Sequence, residues 1–74
     1  MRVNTTDMRT FKLKRNQDLS GVSGTGIVAE GVVLSDGECV LHWLSAFGSI
    51  SIYRTMDDLV RVHGHEGASE VVYD

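Results

Sequence analysis

The feature that most constrains this chain is a hairpin in its middle. Ile27-Val28-Ala29-Glu30-Gly31-Val32-Val33-Leu34 is rich in β-branched residues, and Ser35-Asp36-Gly37-Glu38 follows it with an Asp-Gly pair that favours a tight primed turn. Residues 38–44 then return as the partner strand. In that return Cys39, Leu41 and Trp43 share one face, while Val40, His42 and Leu44 share the other, so both faces are partly apolar and the strand is expected to be central. Trp43 reads as a core anchor. Gly31 in the outgoing strand points to a bulge or sharp bend, the device by which a small sheet curls.

The rest of the fold grows around this hairpin. Alternation in Arg9-Thr10-Phe11-Lys12-Leu13-Lys14 places Phe11 and Leu13 on one face of a first strand and the lysines on the other. After the hairpin comes the short loop Ser45-Ala46-Phe47-Gly48, then Ser49-Ile50-Ser51-Ile52-Tyr53, whose strict alternation points Ile50 and Ile52 inward. Then the period changes. Thr55 can cap a helix with Asp57 and Asp58 in its first turn, and Met56, Leu59, Val60 and His63 recur at helical spacing, with Gly64 placed to end it. Residues 70–74 read as a closing strand. The expected architecture is mainly β (α+β), a single small bent antiparallel sheet or open barrel in the order β-β-β-β-α-β with one short helix. Residues 1–8 form a flexible polar arm and residues 9–74 a single small domain. At 74 residues there is no room for a second core.

Composition narrows the function classes. The longest apolar runs are far short of the ~20 residues a membrane helix needs, and no secretory signal is visible, which places the chain in the cytoplasm. The single Cys39 excludes an intrachain disulfide. A β domain of this size without that staple has a thin core, and pairing of strand edges in a homodimer would enlarge it. The net charge of −3 is unevenly spread: residues 1–15 hold Arg2, Arg9, Lys12, Lys14 and Arg15 against Asp7, and the remainder is strongly acidic. A nucleic-acid surface would therefore have to use Arg9, Lys12, Lys14 and Arg15 on the first strand. The same pattern also describes an ordinary solvated edge.

Other constellations carry less. Gly21-Val22-Ser23-Gly24-Thr25-Gly26 has the spacing of neither a dinucleotide fingerprint nor a P-loop, and it leads into a strand, so it reads as a structural turn ahead of a ligand loop. His63, His65 and Glu66 could ligate a metal, with His42 a conceivable addition, but the two histidines do not share a stable helix face. Cys39 and His42 point to opposite faces of their strand and make no nucleophile and base. Adjacent Asp57 and Asp58 diverge on a helix and make no acid-base pair. No catalytic residue and no cofactor is implied.

The run Gly21-Val22-Ser23-Gly24-Thr25-Gly26-Ile27-Val28-Ala29-Glu30-Gly31-Val32, with Ser35-Asp36-Gly37, Leu41-His42-Trp43 and Val62-His63-Gly64-His65-Glu66-Gly67, resembles a family of very small proteins of microbial genomes, phages and other mobile elements. The resemblance covers residues 9–73 and implies no activity that transfers to single residues. It does imply a class: small phage proteins often act by binding a larger host assembly, including defence complexes. The expectation is a non-enzymatic protein-interaction module whose contacts are Asp36 and Gly37 at the hairpin tip and Phe47 in the next loop. A small nucleic-acid-binding barrel is the second reading and a metal-dependent enzyme the last.

Overall fold

A computed structural model of the chain describes residues 8–16, 25–64 and 67–74. The glycine-rich run up to Gly24, the arm before Met8 and the pair His65 and Glu66 lie outside the described residues. Among these residues five strands and one helix follow in order: β1 (Arg9–Arg15), β2 (Gly26–Val33), β3 (Cys39–Trp43), β4 (Ile50–Tyr53), α1 (Met56–His63) and β5 (Ser69–Tyr73). The strands form one open antiparallel sheet in the spatial order β4-β3-β2-β1-β5. The chain thus lays down four strands, crosses over as α1, and returns as β5 beside β1.

Alternation explains which side of the sheet is dry. Phe11 and Leu13 of β1, Ala29 of β2, and Cys39 and Leu41 of β3 are all buried, and Leu59 of α1 closes over them. Val28, Val33, Trp43, Tyr53, Met56 and Val71 pack around this cluster, partly buried. Trp43 is therefore at the margin of the core and not its anchor. Among the described residues no helix covers the opposite face of the sheet, and there Lys12 hydrogen-bonds the Asp74 carboxylate at 3.1 and 3.2 Å while Thr10 Oγ1 donates to the same group at 2.6 Å.

One expectation about backbone shape is corrected. The irregularity in β2 lies at Val28, not Gly31: Leu13 faces Ala29 and Lys14 faces Ile27, which leaves Val28 as the additional residue. Gly31 is in regular register opposite both Phe11 and Leu41, and its reason is space. A Cβ at Gly31 would stand 2.4 Å from the Val40 carbonyl oxygen and 2.6 Å from Phe11 Cζ, so the aromatic ring occupies the volume a side chain would need. Gly64 ends α1, as its position in the sequence implies, and does so in right-handed conformation, φ −67°, with its N–H donating to the Val60 carbonyl. Its missing Cβ would meet the Val60 carbonyl oxygen at 2.6 Å.

The helix behaves as its sequence implies at the start. Thr55 caps it in extended conformation, its hydroxyl accepting from the Asp58 N–H at 3.1 Å, with Asp57 and Asp58 at the positive end of the dipole. Only Leu59 is fully buried, so a single leucine supplies most of the grip of α1 on the sheet.

Candidate protein-interaction surface

The parity of β4 decides what the β4 side of the sheet offers to solvent. Trp43 N–H donates to the Ser49 carbonyl at 2.9 Å, and Leu41 faces Ser51 and Cys39 faces Tyr53 in register. Directly opposed residues on antiparallel strands share a face. Because Leu41 and Cys39 point into the core, Ser51 and Tyr53 do so too, and Ile50 and Ile52 point out. They are 66% and 64% exposed. This overturns the reading that placed them inward. Alternation alone assigns two faces but does not say which one is wet.

Tyr53 gains a definite role by pointing inward. Its hydroxyl shares a hydrogen bond with His63 Nε2 at the end of α1, and the His63 ring also lies edge-on to Trp43, with centroids 5.0 Å apart. His63 is thus part of the helix docking. Its proposed metal partners, His65 and Glu66, fall outside the described residues, and His42 is on the opposite face. Among the described residues no group of three or more His, Cys, Asp or Glu side chains could hold a metal ion.

The β3–β4 turn exposes more apolar surface. Gly48 N–H donates to the Ser45 carbonyl at 3.1 Å, closing the turn, and Gly48 takes φ +37°. Phe47 stands out of it 98% exposed, and Leu44 beside it is half exposed. Asp36 and Gly37 are not neighbours of Phe47, because they cap the other end of β3. There the Asp36 carboxylate accepts from the Glu38 N–H at 2.9 Å and Gly37 adopts φ +93°, so both have local turn duties. The three expected contact residues therefore sit at opposite ends of a strand.

The four cations of β1 are divided as well. Arg9 lies 4.1 Å over the Tyr73 ring, and Arg15, on the same face, borders a cleft of about 370 Å³ with Val28, Trp43, Leu44, Ser45 and Ser49. Lys12 and Lys14 point to the other side, where Lys12 is held by Asp74. That side has its own concavity of about 360 Å³, floored by Val32 and Val40 and rimmed by Lys12, Glu30, His42 and Asp74. Lys12 faces Glu30 and Glu30 faces His42 across successive strands. Basic and acidic groups alternate there, so no single-sign field is available to track a phosphate backbone. Cys39 is buried, its thiol pKa pushed up by burial, and it donates to the Gly37 carbonyl at 3.5 Å. It is a core residue and not a nucleophile paired with exposed His42.

The profile of the Acb5 phage protein family matches residues 8–74. The chain belongs to this phage family. Its match spans every strand and the helix and leaves out only the arm before Met8. No curated protein and no solved structure matches the chain. Among the described residues of this Acb5-family member, no helix is long and apolar enough to cross a membrane. The surface residues that sequence reasoning missed are Leu44, Ile50 and Ile52. The signal that could have found them was the pairing of β4 with β3 across a five-residue turn, residues 44–48, closed by Trp43 and Ser49.

Proposed function

We propose that this phage-family chain is a non-enzymatic interaction module that binds a host protein assembly in the cytoplasm, with a defence complex as the class of target. The observation that carries this reading is Phe47. A phenylalanine 98% exposed at the corner of a hydrogen-bonded, glycine-closed turn gains nothing from folding. Displayed on a short rigid turn beside Leu44, it is preorganised to enter an apolar pocket of a partner, and aromatic anchors of this kind dominate binding energy at protein interfaces. The divided cations of β1 favour a protein over a nucleic acid as that partner.

The test is affinity capture from host lysate with nuclease present, comparing the native chain with Phe47→Ser. The expected result is a stoichiometric protein recovered by the native chain and lost with the variant, whose stability should be unchanged because the ring has no folded-state contacts to lose. Recovery that persists with Phe47→Ser, or that requires intact nucleic acid, would overturn the proposal.

A further inference from the structure

We infer that the outer edge of β4, which no described strand covers, pairs with the β4 edge of a second copy of this chain, making a two-fold dimer with one continuous sheet. The two edges of the sheet differ in chemistry. On β5, Glu70 lies within the strand and Asp74 directly follows it, and a self-pairing centred on Val72 would set Glu70 of one copy against Asp74 of the other, a like-charge clash. On β4 the strand Ile50-Ser51-Ile52-Tyr53 has no charge, no proline and no bulge, the usual guards of an exposed edge.

Hydrogen-bond phase then limits the register, and the pairing of the isoleucines chooses within that limit. The Trp43 and Ser49 bond, with Leu41 facing Ser51, turns the amides and carbonyls of Ser49, Ser51 and Tyr53 toward β3. Those of Ile50 and Ile52 consequently face the open edge. An antiparallel copy centred on Ser51 sets Ile50 against Ile52 twice, joins their four free amides and carbonyls in bonded pairs, and keeps all four isoleucine side chains on the same outer face. Arg54 then lies opposite Gly48 and meets no like charge. The strand is thus complementary to itself in backbone phase, side-chain face and charge, which is what a two-fold contact requires. A four-residue edge covers less than the roughly 1,200 Å² of a standard interface, so the dimer should form only at high concentration, roughly 0.1–1 mM. The inference does not rest on Phe47, and loss of the host contact leaves it standing.

Sedimentation equilibrium on the full chain across that range tests it, with Ile52→Lys as the disrupting variant; Ile52 is an exposed position, so the fold should survive and circular dichroism checks that it does. The native chain should approach twice its monomer mass, and Ile52→Lys should weaken association at least about tenfold. Register is read by cysteine cross-linking. Ser51 pairs with its own copy at a Cα separation of about 4.5 Å, within disulfide range, so Ser51→Cys should form a disulfide dimer in a glutathione buffer while Ser49→Cys, which would face Tyr53 of the other copy, should not. A native chain that stays monomeric at about 1 mM, or a dimer indifferent to Ile52→Lys, overturns the inference. So does cross-linking through Ser49→Cys as fast as through Ser51→Cys. If the chain is monomeric and Ile52→Lys instead abolishes capture of a host protein, the edge belongs to that protein and the dimer is excluded.

Discussion

Replacing Gly31 by alanine adds one methyl group where the sheet has no room for it. The new Cβ would lie 2.4 Å from the Val40 carbonyl oxygen, 2.6 Å from Phe11 Cζ and 3.0 Å from Phe11 Cε1, whereas ordinary contact begins near 3.4 Å. Neither neighbour yields easily, since Phe11 is fully buried and the Val40 oxygen belongs to the backbone of β3. Moving that oxygen also disturbs the ladder: Leu34 N–H donates to the Glu38 carbonyl, so by alternation Val32 and Val40 form a bonded pair. Overpacking costs about 1–3 kcal/mol and a weakened ladder bond about 1 kcal/mol. The lower unfolded-state entropy of alanine returns about 0.5–1 kcal/mol. The expected net loss is about 1–3 kcal/mol, or roughly 5–25 °C in Tm for a domain of this size. Urea unfolding followed by the fluorescence of Trp43 measures it. In a double-mutant cycle, Phe11→Leu should recover part of the loss, because two of the three close approaches are to that ring. A Gly31→Ala chain within about 0.5 kcal/mol of the native one would refute the steric account.

Two further outcomes follow from single contacts. Leu59→Ala removes the one fully buried side chain of α1 and should cost about 2–5 kcal/mol in chemical denaturation, with the loss of helix signal preceding loss of the sheet. Hydrogen bonds from Thr10 and Lys12 hold the Asp74 carboxyl below its ordinary pKa, so its contribution to stability is present above the unfolded value of about 3.9 and is lost as pH falls through the folded one. The stability difference between the native chain and Asp74→Asn should thus be flat at neutral pH and shrink below about pH 4, as read by urea midpoints across that range.

The strand and helix order was legible because each element follows a simple period. The β2–β3 hairpin has its Asp-Gly turn, and α1 has Thr55, two acids and a 3.6-residue stripe. What local pattern could not give was anything set by a neighbour in space. The orientation of β4 depends on Leu41 facing Ser51. The reason for Gly31 depends on Phe11 of another strand. The bulge at Val28 depends on how β1 and β2 align beyond Leu13, and nothing in a β-branched run marks the additional residue. The candidate surface was half visible: a phenylalanine in a short turn reads as exposed, but the isoleucines beside it read as core until the register is known. The division of the β1 cations was written in alternation, which separates Arg9 and Arg15 from Lys12 and Lys14, but their partners Tyr73 and Asp74 lie at the far end of the chain.

That leaves the question of why β4 turns two isoleucines to solvent when a one-residue slip would bury them. A slip would also turn Tyr53 outward and remove it from His63 and Trp43, where it fastens the C-terminal end of α1. With Leu59 the only fully buried side chain of the helix, this aromatic contact is its second point of attachment. The register is therefore held by the helix, and the exposed isoleucines are its consequence. Tyr53→Phe keeps the ring and removes the hydroxyl, so it should cost about 0.5–1.5 kcal/mol and loosen the last turn of α1 before the rest of the chain unfolds. Hydrogen exchange separates the two effects. Amides of Val62 and His63 should lose protection in the variant while those of Leu13 and Leu41 keep theirs, and equal loss at all four positions would mean that the hydroxyl supports the whole sheet and does not fasten the helix end.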